Sequence, residues 1–350
     1  MTGTPARTDT DATTDVVCLG ESMVTFLPSR PGRLADVPSF GRGIGGAESN
    51  VACALAAAGH RAAWVSRVGA DGFGDHLVDA ISAYGVDTSA VRRDPARPTG
   101  IYFRTATDRA TDVHEVAYYR AGSAASAMSP ANVPCEAPLA GRVLHLSGIT
   151  AALSADCLAL LRELTAPRPG RPLVSFDVNH RPGLWRGADA SPAVLLDLAR
   201  GADLVFVGED EAEEAWGIVG AEAIRAALPE PAVVVVKRGA EGATVFSRGT
   251  DPADTVTDVP ALRVDVVAPV GAGDAFAAGF LSATLRGLPV RDRARHGHLM
   301  AAAVLTVPGD LTDPPARDHA DRLAALADAD WGRLRLGPGW TGDDTEVRET

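Results

Sequence analysis

The chain has 350 residues and a formal net charge of −12, with 46% hydrophobic residues. That length suits one large α/β domain or two ordinary ones with a sizeable core. Acids spread along the sequence argue against nucleic acid or an anionic membrane surface as partner. The four cysteines, Cys18, Cys53, Cys135 and Cys157, show neither metal spacing nor a Cys-x-x-Cys pair and read as reduced core thiols. No apolar run approaches the ~20 residues of a membrane span.

Residues 1–14 are rich in Thr, Asp and Ala without an apolar segment. They read as a disordered tail rather than a secretory leader, and a cytoplasmic location is expected. A strand is then expected over 16–19, a helix over 49–58, a strand over 63–68 and a helix over 74–84. Residues 100–120 break this rhythm: Ile101 to Thr105, a polar turn around Asp108-Arg109, then Val113 to Tyr119. That pattern predicts a β-hairpin, and an inserted hairpin in a sheet protein suggests a lid. Beyond it come a strand over 143–146, a helix over 155–164, a strand over 173–177 and a helix over 193–199. A strand over 204–207, a helix over 209–216, strands over 233–237 and 243–246, and helices over 275–286 and 291–304 complete the series. Polar residues 337–350 read as a second tail. Strands alternating with helices predict an α/β fold with a mostly parallel central sheet and helices on both faces. No repeat or linker is evident, so residues 15–336 read as one domain with a β lid.

Three segments carry chemistry. In Pro269-Val270-Gly271-Ala272-Gly273-Asp274 the glycines let backbone approach a ligand closely. Amides at the start of the following helix, backed by its dipole, make an anion hole. Asp274 is an odd choice for a pure phosphate site, but suits one where a hydroxyl loses its proton beside a phosphoryl group. The alternative is a Gly-rich cap with an acid in the first helical turn. Lys237-Arg238-Gly239-Ala240-Glu241-Gly242 follows a strand of valines and reads equally as a turn with solvated charges. Gly41-Arg42-Gly43-Ile44-Gly45-Gly46 matches G-x-G-x-x-G, but Pro38 and Asp36 stand where a dinucleotide fold needs a buried strand.

The Gly-Ala-Gly-Asp turn resembles the second signature of the PfkB, ribokinase-like carbohydrate kinases. Gly45-Gly46-Ala47-Glu48-Ser49-Asn50-Val51-Ala52 resembles the first, and Gly69-Ala70-Asp71-Gly72-Phe73-Gly74 the family's G-x-D-x-x-G turn. The resemblance runs from about Val16 to Leu326. It implies a ribokinase-like fold with a small β-sheet lid, and ATP-dependent sugar phosphorylation with Mg²⁺. Asp274 would be the base, and the amides of Gly271, Ala272 and Gly273 would hold the transferring phosphate. The turn from Lys237 to Gly242 would lie along the nucleotide. Val207-Gly208-Glu209-Asp210-Glu211 resembles an Asn-x-x-Glu element, so Glu211 would reach the metal through water; Gly208 departs from that pattern. Ala268 departs too, standing where the family has an aspartate that serves a monovalent cation.

Tyr118-Tyr119-Arg120-Ala121-Gly122-Ser123, Leu144-His145-Leu146-Ser147-Gly148-Ile149-Thr150 and Asp177-Val178-Asn179-His180-Arg181-Pro182 are most similar to the 2-keto-3-deoxygluconate kinase branch. The resemblance implies sugar contacts from Gly46, Ala47, Glu48, Ser49 and Asn50, and from Tyr102, Tyr118, Tyr119 and Arg120 in the lid. Asn179, His180 (where tyrosine is common), Arg181 and Asp310 would complete the site. Two arginines on separate elements suit an anionic ligand, although each alone also reads as an exposed charge. The expected reaction moves the γ-phosphoryl of ATP to the 6-hydroxyl of 2-dehydro-3-deoxy-D-gluconate. The alternatives are a kinase for fructose, ribose or 5-dehydro-2-deoxygluconate, and a non-catalytic sugar-binding regulator. A homo-oligomer through the β lid is left open.

Overall fold

The computed structural model describes residues 14–30, 32–105, 115–185, 192–249, 254–342 and 348–349. The N-terminal tail expectation and the Asp108-Arg109 turn therefore fall outside it, except that Thr14 already lies in a strand, Thr14–Leu19.

An eight-stranded sheet runs in the order Asp254–Val259, Ala243–Arg248, Val233–Lys237, Leu204–Gly208, Leu173–Asp177, Gly141–Ser147, Thr14–Leu19, Ala62–Val65. The two pairings at the Asp254–Val259 edge are antiparallel. The other five are parallel. Alternation along each strand feeds two cores. Val16, Cys18, Leu204 and Phe206 pack on one face with the helices Ala47–Ala57, Ala272–Leu285 and Val290–Leu305. Val17, Leu19, Val205 and Val207 pack on the other with Ala155–Thr165, Ala193–Arg200 and Ala221–Ala227. Continuous apolar strands, rather than alternating ones, are what a sheet buried on both faces requires. Because these strands are parallel, their carboxyl ends share one edge of the sheet, where α/β folds place ligands.

The lid is larger than a hairpin. Ile101–Arg104 and Val116–Tyr119 pair antiparallel as expected, but Met23–Pro28 and Phe40–Gly45 add two more strands. The glycines of the G-x-G-x-x-G match thus lie mainly in a lid strand, not in a βα turn. The strand expected over 63–68 divides: Ala62–Val65 stays in the main sheet and Arg67–Gly69 turns off to pair with Arg92–Asp94. Residues 337–350 are not simply a tail. Trp340 is buried at 3% exposure beside His319, and Arg348–Glu349 pairs with Leu334–Leu336. Cys18, Cys53 and Cys157 are free and buried as expected, whereas Cys135 is free but only half-buried, its thiol donating to Glu163 at 3.0 Å. Among the described residues no helix is long and apolar enough to cross a membrane.

Candidate active site

A cavity of about 690 Å³ opens where the lid faces the carboxyl edge of the sheet. Its floor is the turn 269–273 and the start of the helix Ala272–Leu285. Gly271 caps that helix with φ of +81°, and a Cβ there would meet the Asp310 carbonyl oxygen at 2.6 Å. Glycine is therefore required twice over, by conformation and by space. Gly271, Ala272, Gly273 and Asp274 all line the cavity, which brings the glycine turn and a carboxylate to one place.

Asp274 Oδ2 accepts from Asn50 Nδ2 at 2.8 Å. Burial pushes the Asp274 carboxyl up to about 7; the nearby Asp177 carboxylate adds to this, while the Asn50 hydrogen bond, Arg181 and Lys237 oppose it. A carboxyl poised near neutrality is what a general base needs. Lys237 reaches the same floor from a strand end. Its Nζ donates to both Asp177 oxygens at 3.0 Å and would lie 3.6 Å from a Cβ on Gly273. Burial by itself lowers the Lys237 pKa, but the Asp177, Glu211 and Asp274 carboxylates outweigh it and hold the ammonium above its ordinary value.

The sugar-side residues sort by strand and helix geometry. Of the residues expected on the sugar side, Gly46, Ala47, Asn50, Tyr102, Tyr118, Arg120, Asn179, Arg181 and Asp310 line the cavity. Asn179 is the one non-glycine with positive φ, +42°, among the described residues. Its Oδ1 and that of Asn50 are buried without a protein partner. Tyr102 is buried against Gly45, and its hydroxyl donates to Asp310 Oδ2 at 3.2 Å.

Four expected sugar contacts are corrected. Glu48 points into the core, where its Oε1 accepts from Ser147 and Thr150 at 2.7 Å and a Cβ on Gly20 would overlap its carboxylate. Burial raises its pKa, with those two hydrogen bonds opposing. The buried Ser49 hydroxyl lies 3.0 Å from both the Ser22 hydroxyl and the Gly46 carbonyl oxygen and is satisfied by them. Both face away from the cavity because helical rotation puts them on a different side of Ala47–Ala57 from Ala47 and Asn50. Tyr119 is 64% exposed against Phe103 on the outer lid face, since strand alternation turns it away from Tyr118. His180 is buried outside the lining, its Nδ1 3.6 Å from Glu214.

On the nucleotide side, besides the turn Gly271 to Gly273, Lys237 and Glu211 enter the lining. Gly208 stays behind it, where a Cβ would lie 2.6 Å from Asp210 Oδ1, and its N–H donates to Glu211 Oε2 at 2.8 Å. Arg238 pairs with Asp258 at 3.4 Å, and Gly239, Ala240 and Glu241 form a short 3-10 turn beyond the cavity. Gly242 is fixed by its φ of +121° and by the Val259 carbonyl oxygen, 2.2 Å from a Cβ placed there. The protein's own backbone accounts for this glycine. Ala268 is buried and offers no oxygen side chain.

Sequence reasoning missed Glu21, Asp177 and Arg104. Glu21 accepts from Arg120, Asp177 grips Lys237, and the buried Arg104 donates to Asp310 Oδ1 at 2.7 Å. The one signal available was an acid at or just past the end of an apolar strand, at Asp177 and at Glu21.

A model of the pfkB family carbohydrate kinases matches residues 13–317. The 2-dehydro-3-deoxygluconokinase of Bacillus subtilis (strain 168) is 36% identical over 320 residues, 90% of this chain and 96% of that protein. The crystal structure of a PfkB protein from Polaromonas sp. JS666 aligns with a TM-score of 0.75 at 35% identity, covering 89% of this chain and all of that one. An uncharacterized sugar kinase from Pyrococcus horikoshii in complex with ATP aligns with a TM-score of 0.75 at 25% identity, over 87% of this chain and 96% of that one. With both glycine turns facing one cavity beneath a β lid, the chain belongs to the pfkB family of carbohydrate kinases.

Proposed function

We propose that the chain is an ATP-dependent 2-dehydro-3-deoxygluconokinase that phosphorylates the primary 6-hydroxyl of the sugar acid. The observation that carries this reading is that Arg120 and Arg181, from the lid and from a strand end, face the same cavity as Asp274 and its glycine turn. Guanidinium forks match carboxylate geometry, and the B. subtilis relative bears that name. ATP as donor accords with the ATP-bound Pyrococcus structure.

In this reading the sugar lies under the lid with its 6-hydroxyl at Asp274. Asp274 accepts the hydroxyl proton as the oxygen attacks phosphorus and the bond to the ADP oxygen breaks. The amides of Gly271 to Gly273 and the Lys237 ammonium stabilise the charge on the transferring oxygens, in a site from which the lid excludes water. Among the described residues no cluster of three His, Cys, Asp or Glu side chains could cage a metal. Glu211 is already engaged by the Gly208 N–H and by Arg181. Such a donor set fits Mg²⁺ held mainly by phosphates and waters, with Glu211 ordering the waters. The ion would screen the phosphate charge when bound.

The test is a coupled ADP assay across 2-dehydro-3-deoxy-D-gluconate, its C4 epimer, fructose, ribose and 5-dehydro-2-deoxygluconate. The acid should give the highest kcat/KM. Arg181→Met should lower it by roughly ten- to a hundredfold for the acid, the value of one charged contact, with little change for a neutral sugar. Higher kcat/KM for fructose or ribose would overturn the substrate while leaving a sugar kinase. No ADP release with any sugar would favour a binding regulator.

A further inference from the structure

The Arg120 guanidinium is not free to swing in the cavity wall. Its Nε donates to Glu21 Oε2 at 2.8 Å, and Nη2 pairs with the same oxygen. Ser123 Oγ donates to the other oxygen, Oε1, at 2.5 Å. Glu21 is 2% exposed and sits in the link between the main-sheet strand Thr14–Leu19 and the lid strand Met23–Pro28. Arg120 directly follows the last lid strand, Val116–Tyr119, and Ser123 comes after Ala121 and Gly122. The fit is close, because a Cβ on Gly100 would lie 2.9 Å from Glu21 Oε1. The Tyr118 ring flanks the guanidinium at 5.9 Å.

A guanidinium has five donors in a rigid plane. Glu21 takes the Nε and Nη2 side, which leaves the Nη1 edge for the cavity that Arg120 lines. A buried carboxylate must keep its partners, so the pair fixes both the arginine rotamer and the seat of the lid end on the sheet.

We propose that Glu21 is the positioning residue of the substrate site: it aims the Nη1 edge of Arg120 at the anionic group of the sugar. This rests on the sugar-acid reading above. Glu21 also borders the cavity, but its two oxygens are taken by Arg120 and Ser123, so it acts through Arg120 and does not itself meet the substrate's charge, since two carboxylates would repel.

A double-mutant cycle in the full chain tests it, with 2-dehydro-3-deoxy-D-gluconate and fructose as probes. Glu21→Ala should raise KM for the acid roughly tenfold, about the loss of one charged contact, with kcat and the KM for ATP nearly unchanged. Glu21→Gln keeps an acceptor for Arg120 and should recover most of that loss. In an Arg120→Ala background, Glu21→Ala should raise KM no further, because the group it positions is gone. Should Glu21→Ala fail to fold, Ser123→Ala loosens the same carboxylate and should shift KM in the same direction. Additive losses in the cycle, or equal losses with fructose, would overturn the inference. A wild type that turns over only neutral sugars sinks the substrate reading and this inference together. One that prefers the acid but gives additive losses sinks this inference alone.

Discussion

Asp274 is held between opposing demands, an enclosure that favours its proton and neighbouring cations that favour its charge. With its pKa at about 7, kcat/KM should rise as pH increases through neutrality, and Asp274→Asn should abolish that limb. Turnover should fall by about 10²–10⁴-fold with nucleotide affinity retained, as for loss of a general base; a normal rate would remove Asp274 from that role. The same shift fixes a stability effect. A carboxyl raised above its unfolded value stabilises the fold when protonated, and that contribution is lost as pH rises through the folded pKa. Asp274→Asn should therefore raise Tm at pH values above neutrality and change it little in acid, which calorimetry at two pH values would reveal. The site's other charges are paired: Arg181 with Glu211 at 3.4 Å, Lys237 with Asp177, Arg104 with Asp310. None of these partnerships could be read from sequence spacing, since each joins separate elements.

The helix Ala272–Leu285 carries the anion hole, and its placement depends on its neighbour Val290–Leu305. Gly279 lets the two approach closely, since a Cβ there would lie 2.3 Å from the His296 carbonyl oxygen. Gly279→Ala should cost about 1–3 kcal/mol by overpacking, and by tilting the helix should also lower kcat. Denaturant midpoints beside kinetics would check both; an unchanged midpoint would mean that the helices can part freely. Helices were legible because their apolar residues recur with helical period: 209–216 is found as Glu209–Trp216, and 193–199 as Ala193–Arg200. The lid strand Phe40–Gly45 was not, because three glycines in Phe-Gly-Arg-Gly-Ile-Gly read as a turn. Ala221–Ala227 was passed over because it is short and follows two glycines in 217–220.

Across the molecule, the two apolar cores hold the sheet while the C-terminal segment closes over one of them. Trp331 is fully buried with the Arg295 guanidinium 4.6 Å from its ring, and Trp340 packs into the same core. Trp340→Ala should cost about 3–5 kcal/mol without altering KM for either substrate, since Trp340 lies outside the cavity lining. Chemical denaturation would measure this, and a loss below ~1 kcal/mol would mean that the segment is peripheral.

By itself the sequence determined the strand–helix alternation, the parallel sheet and the two glycine turns. These are written in local period and in residues that only tight backbone accepts. It also determined which polar residues could meet at one edge, because parallel strands deliver their carboxyl ends together. Only the tertiary structure decided which of them face the cavity. Glu48 and Ser49 sit in the same signature as Asn50, yet successive helical residues point about 100° apart, so Glu48 meets Ser147 and Thr150, Ser49 meets Ser22, and Asn50 meets Asp274. Tyr119 is next to Tyr118, yet strand alternation turns it outward. The pairing of Arg120 with Glu21 was also left to the fold: their partnership spans 99 positions and exists only when the lid end is seated against the sheet.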